Sequence, residues 1–117
     1  MSGQAMRGQA MRGQAIRHMP LDHPAAAGHF PGNPIIPGAA LLAEVLDAIA
    51  SGCEDPLVPT AIPACKFHSP VRPGDVIVIN WTGLAPGLTS AEARVTCWVE
   101  DRKVLTGTLQ FGRAGGA

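Results

Sequence analysis

The residues best suited to do chemistry in this sequence lie in one stretch rich in proline and glycine, at positions 29–38. Three prolines and two glycines fix its backbone path, and one histidine, His29, stands at its start. The stretch reads His-Phe-Pro-Gly-Asn-Pro-Ile-Ile-Pro-Gly. Because an imidazole titrates near neutral pH, a histidine held by a stiff loop is well suited to move a proton.

An apolar segment at positions 39–50 follows directly, and its composition predicts a buried helix. The first N–H groups of a helix have no intrahelical partner, and they lie at the positive end of the helix dipole. Gly38, at the predicted helix start, therefore offers an N–H to an anionic oxygen, and its missing side chain lets a ligand come close. His29 and Gly38 together suit acid–base chemistry on a carbonyl compound.

The elements that must position these residues form an α+β pattern. One apolar helix is predicted over residues 38–50, among segments in which apolar and polar residues alternate as in strands. The segments expected to be strands are 14–19, 60–68, 76–82, 90–99 and 103–111. Four or five antiparallel strands and one helix fit a sheet that curls around that helix.

A repeated five-residue unit near the N-terminus sets the predicted domain boundaries. Gly-Gln-Ala-Met-Arg occurs twice and is followed by Gly-Gln-Ala-Ile-Arg. A period of five fits neither a helix nor a strand. We therefore expect a frayed extension over residues 1–13, a folded domain over residues 14–112 and a frayed tail over residues 113–117.

Charge and composition narrow the range of functions. Nine basic and nine acidic residues balance each other, which argues against nucleic acid or an anionic membrane as the main partner. No apolar run is long enough to span a bilayer. Cys53, Cys65 and Cys97 form no Cys-x-x-Cys pair, which favours free thiols in the cytoplasm. The histidine spacing suits no metal site, and no phosphate-binding loop follows a strand, so neither a metal nor another cofactor is expected.

The stretch at 29–38 also resembles a known active-site signature. His-Phe-Pro-Gly-x-Pro-x-x-Pro-Gly followed by an apolar helix is similar to the signature of the hotdog-fold 3-hydroxyacyl-[acyl-carrier-protein] dehydratases. Residues 66–75, Lys-Phe-His-Ser-Pro-Val-Arg-Pro-Gly-Asp, resemble the strand and turn that follow the helix in those enzymes. The resemblance implies a hotdog fold, an antiparallel sheet wrapped around one long central helix, and a dimer whose two sheets join edge to edge.

The resemblance also implies roles for the residues of the stretch. His29 matches the base that removes the C2 proton of a 3-hydroxyacyl thioester. Gly38 matches the glycine whose N–H holds the thioester oxygen. The substrate would be carried by acyl carrier protein or coenzyme A, and no cofactor would be needed. The neighbouring residues expected to contact the substrate are Phe30, Pro31, Gly32 and Pro37.

The general acid departs from the family pattern. The resemblance places a Glu or Asp fourteen residues after the histidine, where this sequence has Ala43. Glu44 lies about 100° further around a helix, and Asp47 lies about one turn beyond Ala43. Three explanations are open. Glu44 could occupy the position of the family's acid if the helix start absorbs one extra residue, or Asp47 could reach the substrate directly or through a water. In the third, the acid is absent. We take Glu44 as the candidate acid and Asp47 as a candidate substrate contact.

Three functions are consistent with these residues. The first is a 3-hydroxyacyl thioester dehydratase of fatty acid biosynthesis, a homodimer in which each site takes its histidine and its acid from different subunits. The second is an acyl-thioester-binding protein without the acid, or a heterodimer partner whose acid comes from another chain. The third is a hotdog thioesterase, which we rank last because those enzymes usually lack the His-Phe-Pro-Gly loop.

Overall fold

A five-stranded antiparallel sheet and one helix make up the protein. The computed structural model describes residues 10–22, 35–52, 57–84 and 90–113. The strands lie in the sheet in the order β1-β3-β4-β5-β2, which is the predicted α+β arrangement. Its elements are β1 (Ala10–His18), α1 (Gly38–Ser51), β2 (Leu57–Phe67), β3 (Val76–Leu84), β4 (Ser90–Val99) and β5 (Arg102–Arg113).

The core lies between α1 and the inner face of the sheet. Side chains of a strand alternate between the two faces, so alternate residues of β3 and β4 are buried. The helix buries residues spaced three or four apart, which form one apolar face. The buried side chains of the two layers include Leu41, Val45, Ala48, Ile49, Ile77, Ile79, Val95 and Leu109.

The first strand begins earlier than the sequence predicts. β1 starts at Ala10, so residues 10–13 pair with β3 instead of belonging to the expected extension over residues 1–13. Gly13 lies opposite Trp81, and a β-carbon at Gly13 would collide with the indole ring. The third repeat unit thus supplies the glycine that lets Trp81 pack against β1. Residues 1–9 and 114–117 lie outside the described residues.

The remaining elements end within three residues of their predicted limits. The pairing of β2 with β5 is irregular around Pro63, since it shifts register between Pro59 and Ala61 and again between Ala61 and Ala64. β2 forms one edge of the sheet, as expected for a strand that contains proline. Among the described residues, no helix combines the length and hydrophobicity needed to cross a membrane.

Candidate active site

A cleft of about 390 Å³ opens beside the N-terminus of α1. Its walls come from the residues that lead into α1, from the first turn of α1 and from the segment that follows β2. The N–H of Ile36 donates to the Val71 carbonyl at 2.7 Å, which joins two of these segments. Most of the lining is apolar, so the cleft suits an acyl chain. The lining residues are Ile35, Ile36, Gly38, Leu41, Phe67, His68, Ser69, Pro70 and Val71.

The helix N-terminus presents backbone donors at this cleft. Pro37 is the N-cap residue, and its carbonyl accepts from the N–H groups of Ala40 and Leu41, each at 3.0 Å. The geometry of a helix leaves the N–H groups of Gly38 and Ala39 without an intrahelical partner. No side chain of the described residues caps this end, and the first turn holds no acidic residue. The positive end of the helix dipole is therefore not neutralised by a carboxylate there.

Gly38 has a second structural role that the sequence analysis did not identify. A β-carbon at this position would lie 2.9 Å from Cζ of Phe67 and 3.1 Å from both of its Cε atoms. The end of the aromatic ring therefore packs directly against the glycine. Phe67 is half exposed and can turn away, so a larger residue at position 38 would reshape the cleft more than it would destabilise the fold. Phe67 belongs to segment 66–75, which resembles the dehydratases. That resemblance is the feature of the sequence that could have indicated this contact.

The two candidate carboxylates lie on a different side of α1, facing β1. Arg17 Nη1 is 3.4 Å from Glu44 Oε1 and 3.0 Å from Asp47 Oδ2. Neither carboxylate lines the cleft of its own chain. Ala43, at the position where the family pattern has its acid, is exposed.

The sequence analysis missed Arg17 as the partner of both carboxylates. The signal was the alternation along β1, in which Gly13, Ala15 and Arg17 point to the inner face and the residues between them point outward. The repeat obscured this signal, because a period of five places equivalent residues of successive units on opposite faces of a strand.

The remaining predicted site residues divide into two groups. Pro37 is half-buried at the start of α1, next to the cleft but not among its lining residues. The rest of the motif lies outside the described residues, so its placement stays a prediction. These residues are His29, Phe30, Pro31 and Gly32.

The two described thiols are not suited to nucleophilic chemistry. Burial, and to a lesser extent the nearby Cys65, raises the pKa of Cys97 to about 12. Burial also raises the pKa of Cys65. Both thiols are free and stay protonated at neutral pH, whereas the thiolate is the reactive form. Within the described ranges, no three side chains of His, Cys, Asp or Glu are grouped to hold a metal ion.

Comparison with known proteins decides the family. Residues 6–97 match the model of a family described as ApeI-like, ApeI dehydratase. The chain belongs to this ApeI-like dehydratase family. The match covers most of the chain and confirms the resemblance that the His-Phe-Pro-Gly motif carries.

Curated relatives of this ApeI-like chain are named 3-hydroxyacyl-[acyl-carrier-protein] dehydratase FabZ. The protein of Alkaliphilus metalliredigens is 37% identical over an alignment of 99 positions, which covers 77% of this chain and 66% of the relative. The protein of Caldicellulosiruptor saccharolyticus is 32% identical over 99 residues, 78% of this chain and 70% of the relative. The chain thus spans about two thirds of the length of these relatives.

Solved structures confirm the hotdog fold of this ApeI-like protein. Protein af1124 from Archaeoglobus fulgidus has a TM-score of 0.71 at 17% identity, over 90% of this chain and 78% of its own. The dehydratase heterocomplex ApeI:P from Xenorhabdus doucetiae has a TM-score of 0.68 at 19% identity, over 87% of this chain and 88% of its own. A variant of the fluoroacetyl-CoA-specific thioesterase FlK, in complex with fluoroacetate and CoA, has a TM-score of 0.71 at 13% identity, over 89% of this chain and 92% of its own. At these identities the similarity shows the fold alone.

The ion pairs of Arg17 lead to a prediction about stability. We expect Arg17→Gln to lower the free energy of unfolding by about 0.5–1 kcal/mol, because two partly exposed ion pairs are lost and two neighbouring carboxylates are left facing each other. Urea unfolding at low salt measures this loss, and salt at 1 M should reduce it because exposed charges are screened.

Arg12→Gln is the matched control. Arg12 lies on the same strand but on the outer face, exposed and without an ion pair among the described residues. Its replacement should change stability by less than about 0.5 kcal/mol. Equal losses in the two variants would show that the ion pairs of Arg17 do not stabilise the fold.

Proposed function

We propose that this chain removes water from a 3-hydroxyacyl thioester, and adds it back in the reverse direction, with the acyl group in the cleft beside α1. The observation that carries the proposal is the cleft itself, an apolar space of about 390 Å³ that reaches the Gly38 end of the helix. A ligand in this cleft can place a carbonyl oxygen against the helix N-terminus and its apolar chain along Leu41 and Phe67. The names of the FabZ relatives support this reaction and a carrier-protein thioester as the substrate.

The proposed reaction divides the chemistry between an imidazole, a backbone N–H and an acid. His29 accepts the C2 proton, and the electron pair of that C–H bond moves toward the thioester carbonyl. The Gly38 N–H and the helix dipole stabilise the negative charge that develops on the carbonyl oxygen. The C2–C3 double bond forms as the C3–O bond breaks, and the hydroxyl leaves as water after a proton from the acid reaches it.

The carrier and the compartment complete this proposal. The FabZ relatives are named for acyl carrier protein, and coenzyme A carries the same type of thioester, so either could present the substrate. We expect the protein to act in the cytoplasm, where the free thiols Cys65 and Cys97 would stay reduced.

The proposal predicts a specific loss of activity in a pair of substitutions at Gly38. Gly38→Ala adds a β-carbon near Phe67 but keeps the N–H, whereas Gly38→Pro adds bulk and also removes the N–H. Proline is tolerated at the first position of a helix, so the fold should survive. We expect kcat for hydration of a short enoyl thioester to be about 100-fold lower in Gly38→Pro than in Gly38→Ala. The loss of an oxyanion donor typically lowers kcat by about this factor.

His29→Ala is measured in the same assay, and we expect a loss of about 100-fold or more because the general base is removed. Hydration is followed as the loss of absorbance of the conjugated enoyl thioester. Activity that survives His29→Ala would remove this histidine from the mechanism. Equal kcat values for Gly38→Pro and Gly38→Ala would remove the oxyanion role of the Gly38 N–H.

We also propose that two copies of the chain form a dimer through β2. This strand spans 11 residues, pairs with β5 on one side, and leaves its other side as an edge of the sheet. Apolar side chains along it are exposed: Val58 by 45%, Ile62 by 42% and Phe67 by 48%. An edge with exposed apolar residues is normally covered in a folded protein. A second copy at this edge would extend the sheet and would stand next to Phe67 of the cleft.

If the dimer forms through β2, a charged substitution on this strand should change the mass of the protein in solution. We expect Ile62→Lys to shift the chain from dimer to monomer in sedimentation equilibrium at micromolar concentration, because a buried ammonium at the interface is unfavourable. Ile16→Lys is the control, since Ile16 is 55% exposed on the outer face of β1, at the opposite edge. A dimer that survives Ile62→Lys but not Ile16→Lys would place the interface at β1 instead.

A second candidate function is that of a heterodimer partner that binds the acyl thioester while another chain supplies the acid. The observation that favours it is the helix face around Ala43. This position is exposed and carries no carboxylate, while Glu44 and Asp47 both contact Arg17. The homologous dehydratase ApeI:P from Xenorhabdus doucetiae is described as a heterocomplex, which supports a two-chain arrangement for this family.

The missing acid predicts a gain of activity. If the chain lacks its own acid, Ala43→Glu should raise enoyl thioester hydration by the purified chain about tenfold or more, because a general acid typically contributes at least that factor. Ser51→Glu is the control, since it adds the same charge at the other end of α1. No gain in Ala43→Glu would contradict the simple loss of the acid, and release of free thiol from a saturated acyl thioester would instead favour a thioesterase.

A further inference from the structure

The outer face of the sheet, which points away from α1, carries a shallow depression of about 420 Å³. The pairing of β2, β5 and β4 places Lys66, Thr106 and Thr96 in one row across the strands. The inner neighbours of these residues include the buried Val95, so the row itself points outward. The outward-facing residues that line the depression are Ala64, Lys66, Arg94, Thr96, Thr106 and Thr108.

Two cationic side chains stand on either side of the two hydroxyl groups that β5 brings to this depression, those of Thr106 and Thr108. Lys66 comes from β2 and Arg94 from β4, with β5 between them. With strands about 4.8 Å apart and a rise of about 3.4 Å per residue, the Cα atoms of Lys66 and Arg94 are roughly 12 Å apart. Long side chains at that separation can both reach an anion over Thr106 and Thr108.

These two cations form no ion pair within the described residues. Arg17 and Arg102 each form ion pairs with carboxylates. In contrast, neither Lys66 nor Arg94 has an ion-pair partner among the described residues, and no acidic side chain lines the depression. An excess of positive charge above hydroxyl donors attracts an anion that accepts several hydrogen bonds.

A hydrogen bond at the end of β2 links a residue of the cleft to a residue of the depression. His68 lines the cleft, and its Nε2 lies 2.8 Å from Oγ1 of Thr106, which lines the depression. Lys66 precedes His68 by two residues, a distance of about 7 Å along an extended strand. This hydrogen bond links the rim of the cleft to the outer face of the sheet around the end of β2.

From this arrangement we propose that the depression binds a phosphate group. Lysine and arginine with hydroxyl donors are the partners that a phosphate prefers, because it accepts several charge-assisted hydrogen bonds at once. Two sources share this chemistry. One is the phosphate of the carrier arm of a thioester in the cleft, a source that rests on the proposed function, and the other is a free phosphate compound.

The test is a titration of the isotopically labelled full chain, followed by NMR. Inorganic phosphate should shift the amide signals of Lys66, Thr106 and Thr108. Lys66→Gln and Arg94→Gln should each weaken this binding about fivefold, since each removes one charge-assisted contact at an exposed site. Lys103→Gln is the control, because Lys103 lies 5.5 Å from the centre of the Trp98 ring and outside the depression. Its phosphate affinity should stay within twofold of the unmodified chain.

Two further probes distinguish the sources. If 4′-phosphopantetheine binds at least tenfold more tightly than both phosphate and pantetheine, and shifts the same amides, the carrier arm is the source. If it binds no more tightly than phosphate, the site takes free phosphate. Unchanged phosphate affinity in both Gln variants, or shifts confined to residues outside the depression, would overturn the proposal.

A pantetheine thioester without phosphate separates this proposal from the proposed function. The Gln variants should hydrate it at the rate of the unmodified chain, because the depression lies outside the cleft where the chemistry takes place. Thr108→Val provides a second measure, since it removes a hydroxyl with almost no change of shape, and it should also weaken phosphate binding. If the chain binds phosphate but hydrates no enoyl thioester, the proposal of a phosphate site stands. Only the proposed dehydratase function is then contradicted.

Discussion

The position of the N-terminus of α1 on the sheet is the constraint on which the candidate site depends. The hydrogen bond from Ile36 to Val71 fixes the entry to the helix, and the contact between Gly38 and Phe67 fixes its first turn. Both contacts join the helix to the segment that follows β2. The same contacts leave a cleft between those segments, and Gly38 at the start of the helix lines it. A helix shifted by one residue would bring a β-carbon against the Phe67 ring, and the half-exposed ring would have to turn away.

The charged side chains on the two faces of the sheet differ in whether they form ion pairs. On the inner side, Arg17 reaches across from β1 to Glu44 and Asp47, so one positive charge lies between two negative charges at the rim of the core. On the outer side, Lys66 and Arg94 stand without an ion pair among the described residues. Ion pairs at partly exposed positions contribute little to stability, so neither arrangement is needed for folding. Both instead set the charge that each face of the sheet presents.

The acid of the proposed reaction would come from the partner subunit in the dimer that the resemblance implies. In a hotdog dimer the two sheets share an edge, and the resemblance implies that each site takes its histidine and its acid from different subunits. The place of Glu44 relative to the cleft of its own chain therefore does not decide whether it acts in the cleft of a partner. The exposed Ala43 and the pairing of Glu44 with Arg17 are facts of one subunit. In the dimer that we propose, Glu44 and Asp47 would act only in the cleft of the partner subunit.

The sequence by itself determined the family, the order of the elements and the start of the helix. The His-Phe-Pro-Gly motif and the alternation in β3, β4 and β5 are local signals, so they can be read without knowing what packs where. The start of β1 at Ala10 could not be read in this way, because the five-residue repeat hides a period of two and pairing with β3 decides where the strand begins. The contacts of Arg17 with Glu44, of Gly13 with Trp81 and of Gly38 with Phe67 were decided by the tertiary structure alone. Each joins residues far apart in the chain, and whether they meet depends on how the sheet twists and where the helix crosses it.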